Sequence, residues 1–138
     1  MIPLATAMRI AELAFAEGAA REVVNMSVVV TDAGGNVRLA MQADGQGIFG
    51  IDTASGKAQT ALGFNRTSLH LAKIFTDPAA VAAIAAATGG RFVPLGGGVV
   101  VQQDGVTIGA AAVSGGLPDA DEAIIVAAIE AVGLSVLR

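Results

Sequence analysis

Asp104-Gly105 stands between two apolar, valine-rich runs, residues 99–103 and 106–113. An Asp-Gly pair supplies two successive residues that tolerate positive φ, as a two-residue type I′ turn requires. The two runs therefore read as neighbouring antiparallel strands. A second hairpin comes earlier in the chain. Residues 25–32 are β-branched around Val28, Val29 and Val30, Ala33-Gly34-Gly35-Asn36 is a turn signal, and strand character resumes over 37–42. Two hairpins separated by helical segments exclude the βαβ alternation of a doubly wound parallel sheet.

The helical segments follow from spacing and punctuation. Residues 3–24 carry Leu4, Met8, Ala11, Phe15 and Ala19 on one stripe, with Pro3 suited to a first turn. Asp52 is a candidate N-cap for a helix over 53–64. Residues 66–75 hold a short helical turn, and Pro78 opens a helix over 78–87 that Gly89-Gly90 stops. Residues 92–98 read as extended and glycine-rich. Pro118 starts a last helix running to about residue 136, with Asp119 and Glu122 at capping-box spacing. The expectation is one α+β domain over residues 1–138, an antiparallel sheet with helices packed on it.

Composition removes whole classes of function. With no Cys, disulfides, thiol catalysis and Cys-ligated metal centres are excluded. A single His excludes a multi-His metal site within one chain. A net charge of −4, with only two Lys, argues against a nucleic-acid footprint. No apolar run reaches the roughly 18 residues of a membrane span, and Arg9 and Glu12 interrupt the N-terminal apolar segment. Export and membrane insertion are therefore not expected, and the cytoplasm is the expected compartment. Apolar residues make up 54% and charged residues 14%. So little polar surface points to burial of apolar faces in a homo-oligomer.

Few residues can carry chemistry. His70 is the one side chain able to ligate haem iron strongly or to titrate near neutrality; its bland reading is a surface histidine. Lys57 and Arg66 read either as solvated charges or as a carboxylate clamp at a pocket mouth. Gly96, Gly97 and Gly98 lack the Lys-Ser/Thr of a phosphate loop. They mark either close backbone approach or exposed amides lining a small pocket. Gly115 and Gly116 precede the last helix, whose N-terminus Asp119, Asp121 and Glu122 crowd. Those carboxylates read as helix-dipole partners, or as a base facing a pocket. No serine sits in a nucleophile elbow.

Taken as a set, these motifs resemble the GlcG/HbpS-like family, which includes the C-terminal domain of PduO-type proteins. Val30-Thr31-Asp32-Ala33-Gly34-Gly35-Asn36 is similar to its first hairpin, and residues 52–61 to its helix pattern D-x-A-x-x-K-A-x-T-A. Pro94-Leu95-Gly96-Gly97-Gly98 is similar to its PxxGG segment. Val113-Ser114-Gly115-Gly116, followed by Asp119, Asp121 and Glu122, is similar to its VSGG ending. Where the family commonly reads GRPS, this chain has Asn65-Arg66-Thr67-Ser68, keeping Arg66 and Ser68.

The resemblance implies an α-β-α sandwich around a five-stranded antiparallel sheet of profilin or PAS kind. It also implies homo-oligomers from dimer to octamer, and haem binding in some members. Two functions follow as expectations. One is a small-ligand-binding domain for haem or a related tetrapyrrole. There His70 is the metal ligand, Arg66 or Lys57 pairs with propionates, and Ser68 and the two glycine segments line the site. The other is a cofactor-independent isomerase or lyase acting on a small organic acid. In that reading Gly96–Gly98, Gly115 and Gly116 hold an oxyanion, Glu122 or Asp121 moves a proton, and Lys57 or Arg66 grips a carboxylate.

Overall fold

Both hairpins form in the computed structural model, which describes residues 1–138 throughout. The first joins β1 (Ser27–Asp32) to β2 (Val37–Gln42), and the second joins β3 (Gly98–Gln103) to β4 (Val106–Ser114). Asp104 and Gly105 take φ of 51° and 78°, as the type I′ turn demands, and Gln103 pairs with Val106 directly across it. In the first turn Asp32 builds the corner. Its Oδ1 accepts the amides of Gly34 and Asn36, each at 2.9 Å. The Asn36 amide above all, helped by the Asn36 side chain, the Gly34 amide and the charge of Arg38, holds its carboxyl below the usual aspartate value against the opposing effect of desolvation.

The sheet runs β2-β1-β4-β3-β5, antiparallel at every pairing. Its far edge is β5 (Ser135–Leu137), which lies against β3. The sequence reading carries the last helix to residue 136, but α5 (Pro118–Ala131) ends earlier. Gly133 at φ 81° turns the chain out of the helix and returns Val136 beside Val101. The first helix, α1 (Leu4–Ala20), likewise stops short of residue 24, because Glu22 takes φ 62°.

Strand alternation divides the core into two layers. Val28, Val30, Val99, Val101, Ala111 and Val113 face α1 and α5. Val29, Ala110 and Ala112 face α2 (Gly50–Phe64), meeting its Ala54 and Ala58. Small residues on both sides let the α2 backbone lie almost on the sheet. The result is the expected three-layer sandwich, with α1 and α5 on one face and α2 on the other. Helix α2 starts three residues before the expected Thr53, and Asp52 sits in its first turn rather than capping it. Two short helices follow, α3 (Ser68–Ile74) and α4 (Pro78–Ala87). No helix is long and apolar enough to cross a membrane.

Candidate functional site

The residues singled out in the sequence fall into two groups, one buried and one lining a cleft. The buried group is built around Lys57 and Asp121, whose side chains are 5% and 1% exposed. Lys57 Nζ lies 3.2 Å from Asp121 Oδ2 and donates to the Val113 carbonyl at 3.1 Å. Asp121 Oδ1 accepts the Gly116 amide at 2.8 Å. Burial pushes the Lys57 ammonium below the usual lysine value, against the pull of the Asp121 charge. Burial likewise pushes the Asp121 carboxyl above the usual range, opposed by Lys57 and by the Gly116 and Gly115 amides.

The glycines pack around this pair. A side chain at Gly97 (φ 128°) would meet the Val113 carbonyl and come within 3.2 Å of Lys57 Nζ. One at Gly98 would run into the Lys57 carbonyl, and one at Gly116 would come within 2.7 Å of Asp121 Oδ1. Gly115, at φ 141°, lies against the backbone of Asn25 and Met26. The amides of Gly98 and Gly116 already have acceptors, Ser68 Oγ at 2.8 Å and Asp121 Oδ1. Ser68 is fully buried. Asp119 and Glu122 do not close a capping box: Leu117 is the N-cap of α5 and has no side-chain cap bond.

The second group lines an open cleft of about 470 Å³ between α3 and the α5/β5 end of the sheet. Helix α2 ends at Asn65, which takes the left-handed conformation (φ 52°) that Asn tolerates. The chain then turns into α3, where Thr67 caps the helix by accepting the His70 amide at 3.1 Å. Leu71 is buried and anchors α3, so the neighbouring His70 side chain points outward, about 100° around the helix. Lys73, three residues on, shares its face. The lining is Arg66, Thr67, Leu69, His70, Lys73, Glu122 and Arg138. Gly96 allows the two walls to meet, because a side chain there would come within 2.8 Å of both Leu69 and Pro118.

Arg66, His70 and Glu122 are thus brought together, while Lys57, Asp121, Ser68, Gly97 and Gly98 lie in the buried group. Glu122 Oε1 is shielded from solvent and has no hydrogen-bond partner within the chain. Sequence reasoning missed Thr67, Lys73 and Arg138. Lys73 was legible from its i+3 spacing to His70. Arg138 was not, because the strand that delivers it was read as helix. Three cations and one imidazole around a cleft can hold an anionic ligand with two acid groups and offer a nitrogen to a metal it carries. No group of three or more His, Asp or Glu is arranged to hold a bare metal ion.

Comparison with known proteins agrees with the fold. A family model described as haem-degrading protein HbpS-like matches residues 2–130. The chain is similar to the crystal structure of the PduOC:heme complex, with a TM-score of 0.88, 23% identity and 99% of each chain covered. It is similar to protein ORFY of Klebsiella pneumoniae, at a TM-score of 0.85 and 24% identity, covering 94% of this chain and 88% of that one. It is also similar to a double mutant of HbpS from Streptomyces reticuli, at a TM-score of 0.80 and 28% identity, covering 96% and 87%. No match is found among curated proteins.

Proposed function

The chain belongs to the HbpS-like family, and on that premise we propose that it binds a small ligand, haem or a related tetrapyrrole, in the cleft between α3 and α5. The observation that carries the reading is the meeting of His70 with Arg66, Lys73 and Arg138 around about 470 Å³, within the usual range for a cofactor-sized ligand. The donor set fits such a group. His70 is exposed on the cleft and would ligate the iron, and the three cations would pair with its propionates. Haem, when bound, supplies redox and dioxygen chemistry at its iron. The chain's own residues orient it and neutralise its acid groups. Family likeness further supports a homo-oligomer, and the lack of cysteine suits the cytoplasm.

A second reading, a cofactor-independent enzyme acting on a small organic acid, draws support from Arg66 and Glu122 sharing the same cleft. There Arg66 grips the carboxylate and Glu122 moves the proton. Lys57 and Asp121 serve this reading only indirectly, since each is held by the other away from the cleft.

Haemin titration followed in the Soret region tests the first reading. Wild type is expected to give a saturable shift, and His70→Ala a different band or weaker binding. Wild type without a shift, or a spectrum and affinity identical in both proteins, would overturn it.

A further inference from the structure

At the N-terminal end of α2 lies a depression of about 420 Å³ that shares no lining residue with the α3/α5 cleft. Its floor is the end of β4. Strand alternation turns Val113 toward α1 and α5 and Ala112 toward α2, so the Ser114 side chain is turned to the α2 side. Ser27, its partner across β1 and β4, lies on the same face, since a side chain at Gly50 would run into its Oγ. Gly50 therefore lets the first turn of α2 settle directly over two serines, Ser27 and Ser114, which are 0% and 8% exposed. Ser27 Oγ has an acceptor in Gln42 Oε1 at 3.4 Å. Gln46 Nε2 donates to the Ser114 carbonyl at 3.2 Å, but the Ser114 hydroxyl, in the wall of the depression, has no partner in the chain.

The helix adds free donors beside that hydroxyl. The Gly50 and Thr53 amides donate to the Gly47 and Phe49 carbonyls. Those of Ile51 and Asp52 have no acceptor, and the N-cap, Phe49, offers none from its side chain. They point out of the end of the helix, where Gly47, Phe49 and Gly50 line the depression. The Asp52 carboxylate lies elsewhere: it is exposed, about 200° around the helix from Gly50. No charged side chain lines the depression. Ile48 and Phe49 stand on its rim, 83% and 69% exposed.

We propose that this depression is a second ligand site, taking a monocarboxylic acid with a small apolar body. The carboxylate accepts from the Ser114 hydroxyl and the free amides of α2, and the body lies against Ile48 and Phe49. A single negative charge matches the roughly half positive charge of a helix N-terminus. The second charge of a phosphate ester would find no lysine or arginine here. The volume is in the usual range for a small ligand.

Amide chemical-shift mapping of the isotope-labelled full chain with sodium benzoate tests this. Benzoate is expected to shift Ile51, Asp52, Ser114 and Gly115 saturably. Benzamide, of the same shape without the charge, should bind about 10-fold more weakly, the factor for loss of a charge-assisted bond. Inorganic phosphate should bind more weakly than benzoate. Ser114→Ala should weaken benzoate about 10-fold. Phe49→Ser, on an exposed side chain that leaves the fold intact, should weaken it too.

No saturable shift in wild type, shifts confined to Arg66, His70 and Lys73, benzamide or phosphate binding as tightly as benzoate, or wild-type affinity in both variants would each overturn the proposal. Haemin binding is a separate readout. It should be the same in Ser114→Ala and Phe49→Ser as in wild type, and its presence or absence bears on the α3/α5 cleft alone.

Discussion

Lys57→Met removes the charge at the centre of the molecule while keeping a side chain of similar length. At 3.2 Å, an effective dielectric constant of about 20 gives the pair a gross attraction of about 5 kcal/mol. Much of that offsets the desolvation of two buried ions, so the pair as a whole is worth little against an apolar replacement. Breaking it is different. Asp121 keeps the Gly116 amide but loses its counter-charge at 1% exposure. We expect a loss of about 3–5 kcal/mol, or roughly 10–15 °C in Tm for a chain of this size. With no Trp or Tyr, far-UV circular dichroism in urea is the suitable probe.

The pH dependence gives a second check, with the sign fixed by each partner. Burial already raises the Asp121 carboxyl, and losing Lys57 raises it further. A carboxyl raised in the folded state adds stability at low pH that is lost as pH climbs through its folded value. The deficit of Lys57→Met should therefore shrink as pH falls. Asp121→Asn leaves a lysine whose folded value is lowered, so its deficit should shrink as pH rises. The double variant Lys57→Met/Asp121→Leu should cost less than either single change. Single deficits below about 1 kcal/mol, or the same pH slope in both variants, would refute the picture of a desolvated pair.

Gly98→Ala drives a methyl into the Lys57 carbonyl and is expected to cost about 2–3 kcal/mol in urea melts, whereas Gly63→Ala, with open space around it, should cost less than about 0.5 kcal/mol. The Asp32 carboxyl is held down by its turn, so its contribution is present above the unfolded value and lost as pH falls through the folded one. Asp32→Asn should flatten the acid limb of the stability curve, which thermal melts between pH 2 and 5 (on the order of the carboxylate range) will show. Arg66→Ala and Lys73→Ala are each expected to weaken haemin binding about 10- to 150-fold, the range for loss of a charge-assisted bond, with Tm unchanged.

Both hairpins were legible because they rest on local signals, whereas the three-layer architecture was implied only by the family resemblance. Asp104-Gly105 and Asp32-Ala33-Gly34-Gly35-Asn36 hold their turns through their own backbones and side chains. Strand β5 was not legible. Three residues after Gly133 carry no periodicity of their own, and they pair only because β3 presents an open edge. The glycine runs left two readings open, and distance decides how they pack: Gly97, Gly98 and Gly116 crowd a buried pair that lies 64 residues apart in sequence. The cleft was half legible. Arg66, His70 and Glu122 could be named one at a time. Their meeting depended on the turn at Asn65 and on the approach of α3 to α5 at Gly96, both tertiary events.

A crystal structure grown with haemin tests the ligand reading most directly. The account predicts tetrapyrrole density between α3 and α5, with His70 at the iron and propionates against Arg66, Lys73 or Arg138. Density at another surface, or binding that persists undiminished in a His70→Ala/Arg66→Ala variant, would contradict it.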